Sequence, residues 1–145
     1  MVYLKLRPGP PPPPPRQPLV FRDFTPRELQ PMNGTKNNAV YLAVKGTVYD
    51  VTPGRMFYGP GGPYANFAGR DASRGLACGS FDEEMLTKDL DGPLDALADL
   101  GAEELETLDG WEETFRGKYQ RVGRLVAEGE RKQEGGKEGG EVQEK

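Results

Sequence analysis

Apart from its carboxylates and amines, this 145-residue chain offers six tyrosines, four methionines, one cysteine and no histidine for ligation, nucleophilic attack or proton transfer. Without histidine there is no His-ligated zinc site, no Ser-His-Asp triad, no imidazole general base and no bis-histidine haem. Cys78 alone can form neither an internal disulfide nor a cysteine metal cluster, which suits a reducing compartment. Nineteen Lys+Arg against 23 Asp+Glu, a net charge of -4 and a pI near 5.0, argue against a general nucleic-acid binder. The aromatics concentrate in one place. Phe57, Tyr58, Tyr64 and Phe67 lie within residues 53–69, among Gly54, Gly59, Gly61, Gly62 and Gly69 and beside Pro60 and Pro63. Backbone this rich in glycine can approach another flat body closely. The stretch reads as a loop, either a binding rim or a surface segment pinned by its rings. No Gly-Lys-Ser/Thr follows, so it is not a Walker loop.

The elements around that loop define what could position it. Val20-Phe21 reads as a short strand. Thr25-Pro26-Arg27-Glu28 carries an N-cap Thr, a Pro at the first helical position and a Glu at the third, which predicts a helix kept short by Pro31. Residues 39–44 read as a strand with Val40, Leu42 and Val44 on one face. Lys45-Gly46 turns the chain, and residues 47–51 return as the second arm of a hairpin. Arg70, Asp71 and Arg74 read as a salt-bridged, capped helix start, and Cys78 as a small packing residue. Ser80-Phe81-Asp82-Glu83 has a second capping-box pattern and predicts a helix running toward Lys88, broken at Asp91-Gly92-Pro93. From Ala102 to Arg116, Leu105, Leu108, Trp111 and Phe115 recur every three to four residues and predict an amphipathic helix with one buried stripe, ending near Lys118-Tyr119. The sum is a small α+β domain over residues 19–126, with no internal repeat and room for one modest core.

The two ends differ in composition from that middle. Residues 1–18 form a stub, Val-Tyr-Leu-Lys-Leu-Arg from residue 2, followed by a run with eight prolines from Pro8 to Pro18. The run favours polyproline II and predicts a stiff spacer of roughly 35 Å. Lys5, Arg7, Arg16 and Arg22 precede the first acidic residue, an arrangement typical of the cytoplasmic end of a membrane helix. No apolar run approaches the ~20 residues that span a bilayer. The order of stub, basic residues and rod is the one an anchored protein needs, so an anchor missing from this chain is expected; the alternative is an ordinary N-terminus. Residues 127–145 mix Glu with Lys, Arg and paired glycines and read as a disordered, charged tail.

Residues 41–51, Tyr-Leu-Ala-Val-Lys-Gly-Thr-Val-Tyr-Asp-Val, resemble the hairpin of cytochrome b5-like domains. Two further motifs, Phe57-Tyr58-Gly59-Pro60-Gly61-Gly62-Pro63-Tyr64 and Phe67-Ala68-Gly69-Arg70-Asp71-Ala72-Ser73-Arg74-Gly75-Leu76-Ala77, resemble the membrane-associated progesterone receptor branch of that superfamily. Trp111 and Lys118-Tyr119 also sit where that branch has them, and the likeness runs through residues 20–126. The proline rod and the Gly-rich tail look more like a fungal member than an animal one.

The resemblance implies a cytochrome b5-like fold, a small sheet with short helices forming a cleft for b-type haem. Cytochromes b5 hold iron with two histidines, one of them in a His-Pro-Gly-Gly turn. This chain keeps Pro60-Gly61-Gly62 but has Gly59 at the histidine's place. In the receptor-like branch the iron ligand is a tyrosine, which maps onto Tyr64; Tyr58, Lys118 and Tyr119 map onto residues in polar contact with the haem, largely its propionates. Haem chemistry independently leaves only Tyr, Cys78 and the methionines as ligands once histidine is absent. A phenolate favours ferric iron and a low potential, and a single ligand leaves one face open to a small molecule, a protein or a second haem in a stacked dimer. By resemblance the protein supports haem-thiolate sterol monooxygenases at the endoplasmic reticulum membrane, facing the cytosol. Peroxidase-like chemistry would lack a distal histidine to move protons, so a non-enzyme is expected. Two alternatives are a haem-free adaptor that takes a steroid or lipid in the same cleft, and a low-potential electron carrier.

Overall fold

In the computed structural model, which describes residues 21–130, four strands form one mixed sheet in the order β1-β4-β3-β2. Strands β2 (Tyr41–Val44) and β3 (Thr47–Asp50) are the expected hairpin. Its turn works because Lys45 and Gly46 both take positive φ, 50° and 82°, the condition for a two-residue turn that follows the sheet's twist. Val40, Leu42 and Val44 are fully buried in one core together with Val51, Phe67, Leu76, Leu108 and Phe115. The opposite face is buried too: Ala43 and Val48 pack with Phe24, Leu29, Val122 and Leu125 in a second, smaller core. The hairpin is therefore a wall between two cores.

The short first strand is β1 (Arg22–Phe24), two residues later than expected; Val20, the proline-rich segment and the stub lie outside the described residues, as does the tail from residue 131. Strand β4 (Gln120–Leu125) is a feature the sequence pattern does not announce. Only Val122 and Leu125 of its six residues are apolar and buried, and a glycine sits inside it. It nevertheless fills the gap between β1, to which it is parallel, and β3, to which it is antiparallel. Gly123 is what lets it do so, because a side chain there would strike the Arg22 carbonyl and the Phe24 ring.

Helix α1 (Pro26–Leu29) is one turn long and closed by the expected capping box: Thr25 Oγ1 accepts from the Glu28 amide and Glu28 Oε1 accepts from the Thr25 amide, both at 3.2 Å. The glycine-rich stretch is more structured than a loop. It contains a 3-10 turn at Thr52–Gly54, helix α2 (Arg55–Tyr58) and a second 3-10 turn at Ala65–Phe67. Glycine and proline limit each piece to a single turn, while burial of Tyr58 and Phe67 holds the pieces in place. Helix α3 (Ser73–Cys78) ends at Gly79, which is left-handed.

The helix predicted from Ser80 toward Lys88 does not form. Only one 3-10 turn, Glu83–Met85, follows, and Ser80 Oγ accepts from the Asp82 amide as a local turn. Leu86 is the only fully buried residue in this stretch, too little apolar surface to support a helix. The segment from Leu86 to Gly101 is instead a strap tied down by three arginines. Arg70 Nη2 donates to the Thr87 carbonyl at 2.6 Å, Arg27 pairs with Asp91 at 2.8 Å, and Arg74 makes a fork to Asp95 and reaches Asp99. Helix α4 (Ala102–Lys118) closes the domain, with Arg116 and Lys118 suitably placed against its C-terminal dipole. Its expected stripe splits: Leu108 and Phe115 are buried, whereas Leu105 and Trp111 are 39% and 36% exposed.

Arg74 holds Asp95 below the usual carboxylate range, chiefly by hydrogen bonding, and does the same to Asp99. A depressed folded-state value adds stability above the ordinary carboxylate pKa of about 4 and loses it as pH falls through the depressed value. Arg74→Ala should therefore lower the melting temperature by several degrees at pH 7. The gap to wild type should narrow below about pH 4 in a thermal-melt series.

Candidate functional site

Helix α2 and the turn after it bring two phenols to the same place. The turn folds back through Gly62 N to Gly59 O at 3.0 Å and Tyr64 N to Phe57 O at 2.8 Å, so Tyr64 returns beside Tyr58 with ring centroids 5.7 Å apart. Gly61 supplies the positive φ, 83°. Gly59 and Gly62 are needed for space. A Cβ at Gly59 would lie 2.6 Å from the Arg55 carbonyl oxygen, and one at Gly62 would lie 2.7 Å from that of Met56. A histidine at position 59 is thus excluded by backbone packing as well as absent from the sequence.

The facing wall comes from α3 and α4. Gly75, Leu76, Gly79, Phe81 and Trp111 join Tyr58, Tyr64 and Phe67 around a cleft of about 110 Å³. Gly75 permits close contact, since a side chain there would press on the Phe67 ring. Phe115 lies behind Tyr58 at 5.9 Å and carries Tyr119 at 5.4 Å. Tyr119 in turn meets Tyr58 edge-on at 6.5 Å, its hydroxyl occupying the space that a Cβ on Gly54 would need. Lys118 is exposed, with Nζ 5.7 Å from the Tyr119 ring centre. Of the four residues expected at the site, Tyr58 and Tyr64 share the cleft, Tyr119 touches it through Tyr58, and Lys118 is an exposed neighbour of Tyr119.

Tyr58 is the unusual group. It is only 6% exposed, and among the described residues no protein hydrogen bond satisfies its hydroxyl. Burial, assisted by the neighbouring Tyr119 and Tyr64 phenols, pushes its pKa up to about 12. Desolvation also raises Tyr119. Both are neutral donors at physiological pH. A buried polar group without a partner is costly, and Tyr58 lines a cleft whose other lining is mostly apolar. The residues fit a large flat ligand with acceptor groups. Tyr64 is half-buried in the same cleft. No group of three or more His, Cys, Asp or Glu among the described residues could hold a metal ion; of the usual haem ligands the sequence offers phenol, thioether and one thiol.

Gly75, Leu76, Gly79, Phe81 and Trp111 line the cleft without having been among the residues expected at the site. Phe81 sits in what looked like a helix cap, Trp111 in what looked like a core stripe, and Gly75 inside a helix. None has a local signal, because each is brought in by packing. Cys78, expected to be buried, is exposed at the end of α3, where the helix turns out into solvent. Arg70, Asp71 and Arg74 are structural: Asp71 accepts from the Ser73 amide and hydroxyl, and both arginines hold the strap.

Residues 25–125 match the family model described as "Cytochrome b5-like Heme/Steroid binding domain". The fold and the cleft thus define a cytochrome b5-like ligand-binding domain in which tyrosines line the pocket. The chain belongs to the membrane-associated progesterone receptor family of such domains. It is 54% identical over 107 residues, 74% of this chain, to the cytochrome P450 regulator dap1 of Schizosaccharomyces pombe. It is 48% identical over 109 residues, 75% of this chain, to human membrane-associated progesterone receptor component 2. The matches span 64% and 47% of those two proteins' own lengths. An Arabidopsis thaliana protein with a solved cytochrome b5-like structure is 43% identical, with a TM-score of 0.63 covering 75% of this chain and 93% of that one. The relatives are named as a regulator, receptor components and binding proteins rather than as catalysts. No helix among the described residues is long and apolar enough to cross a membrane.

Removing an unpartnered buried hydroxyl relieves its desolvation cost. Tyr58→Phe should therefore leave the ligand-free protein as stable as wild type, or more stable by about 1 kcal/mol, in urea denaturation. A loss of stability would show that the hydroxyl has a protein partner.

Proposed function

We propose that the domain binds b-type haem in the tyrosine cleft, with the Tyr64 phenolate as the one protein ligand to iron. We further propose that the loaded protein supports or regulates haem-thiolate sterol monooxygenases and is not itself an enzyme. The observation that carries the haem reading is the buried Tyr58 hydroxyl, unsatisfied by protein, beside a second phenol in an apolar cleft with no imidazole. Haem, if bound, would supply an iron centre to which Tyr64 could bind. The chain's own residues then have separate tasks. Tyr64 would offer its phenol oxygen as the hard ligand to the iron. Tyr58, neutral because of its raised pKa, donates a hydrogen bond inside the cleft. Tyr119 and Lys118 lie at the edge, where a phenol and an ammonium suit the propionate carboxylates. Phe67, Leu76 and Trp111 line the cleft and would shield a bound ring from water.

The partner class rests on the yeast relative's name as a cytochrome P450 regulator, and membrane association on the names of the human and plant relatives. Action at the endoplasmic reticulum membrane, with the domain facing the cytosol, belongs to the same reading. A second reading is favoured by the cleft's mostly apolar lining and by plant relatives named as steroid-binding proteins: the same pocket takes a steroid or other lipid without haem. A low-potential electron carrier fits less well, since a single phenolate ligand stabilises the ferric state.

Purified protein titrated with haemin should give a ferric high-spin spectrum with a phenolate charge-transfer band. Tyr64→Phe should abolish that band and weaken binding at least tenfold, about 1.4 kcal/mol. A spectrum unchanged by the substitution would remove the ligand assignment, and no haemin uptake by wild type would favour the lipid reading. The open haem face also predicts self-association. Sedimentation velocity should show a monomer without haemin and a dimer with it; a mass that does not respond to haemin eliminates the stacked pair.

A further inference from the structure

We infer that Phe81 is the gate of the tyrosine cleft, the residue that sets how readily a flat ligand reaches Tyr64. Its ring lies 4.7 Å from the Tyr64 ring and meets Phe67 edge-on at 5.9 Å, so it covers the candidate ligand residue from the facing wall. The backbone is clasped as well. Asn66 Nδ2, on the Tyr64 side of the cleft, donates to the Phe81 carbonyl at 2.8 Å. One side chain and one hydrogen bond thus join the two walls across the mouth.

The contacts are built to open. Phe81 is 46% exposed and the Asn66 hydrogen bond is on the surface, so water can replace both at small cost. On the N-terminal side the chain pivots at Gly79, left-handed at φ 66° and with no atom within 4 Å of where a Cβ would stand. On the C-terminal side Leu86 is buried and the strap beyond it is tied by Arg70, Arg27 and Arg74. Movement is confined to residues 79–85, a short segment with a glycine at one end and an anchor at the other.

A ligand that fits only the open cleft binds with an association rate scaled by the open fraction. Weakening the closure therefore speeds entry without touching Tyr58, Tyr64 or Tyr119. Contacts of the Phe81 kind correspond to about two- to tenfold in such an equilibrium.

The test has two arms, and only the second rests on the haem reading. In the first, ligand-free full-length protein is treated with N-acetylimidazole and the modified tyrosines are quantified by peptide mass spectrometry. Phe81→Ala should raise the rate of Tyr64 acetylation about two- to tenfold, and Asn66→Ala should raise it by a smaller factor. Tyr41, which packs against Phe24 in the other core, should be labelled equally in all three proteins. Equal Tyr64 labelling throughout overturns the gate. In the second arm, stopped-flow absorbance follows haemin uptake, and Phe81→Ala should accelerate association by a similar factor. An unchanged or slower rate overturns Phe81 as the gate for haemin. If wild type takes up no haemin, the haem reading falls while the labelling arm still decides the gate.

Discussion

The structure depends on a hairpin buried on both faces. β2 and β3 separate a core that floors the cleft from one that receives the first and last strands. Because side chains alternate across a strand, the same few residues must serve both cores: Leu42 and Val44 look one way, Ala43 and Val48 the other. A register slip of one residue would exchange the two sets. The tight turn at Lys45-Gly46 and the pairing of Val44 with Thr47 prevent it. The larger core then carries Phe67, Phe115 and Tyr58 to a common point, so cleft geometry follows from how the hairpin is packed.

On that floor the site is made by subtraction. Gly59 and Gly62 let the turn fold against its own backbone carbonyls, Gly75 admits the Phe67 ring, and Gly54 leaves room for the Tyr119 hydroxyl. A protein optimised only for stability would not leave the Tyr58 hydroxyl buried and unpaired. That cost is the kind a binding site carries, and it is met by the larger core, which shares Tyr58, Phe67 and Leu76 with the cleft. The arginine-tied strap plays the complementary part. It has no regular helix or strand of its own and is positioned by the arginines together with Leu86, Leu94, Leu97 and Leu100, which pack on the two cores.

Much of this was legible in the sequence where a local rule applies. The Thr25 capping box, the Lys45-Gly46 turn and the long C-terminal helix each rest on chemistry within a few residues, and each appears where the pattern places it. Local rules misled where their context was missing. Ser80-Phe81-Asp82-Glu83 has the letters of a helix start, but no amphipathic stripe follows to make a helix worth burying. β4 carries two arginines and a glycine among six residues; it is a strand because β1 and β3 offer it backbone partners on both sides. Trp111 has the spacing of a core residue but sits at a cleft mouth, since a helix face is apolar for a ligand as well as for a core.

The amino-acid sequence alone determined which chemistry is available. With no histidine, a lone cysteine and glycine where a cytochrome b5 has its ligand, a haem iron held here by one of the side chains in general use would be held by a phenol or by sulfur. Composition decides that, because it does not depend on how the chain folds. Only the tertiary structure decided which tyrosines meet, that Tyr58 is buried without a partner, and that Phe81 lies over Tyr64. Those facts arise from contacts between residues far apart in the chain, where burial and desolvation set a side chain's behaviour and no local pattern records them.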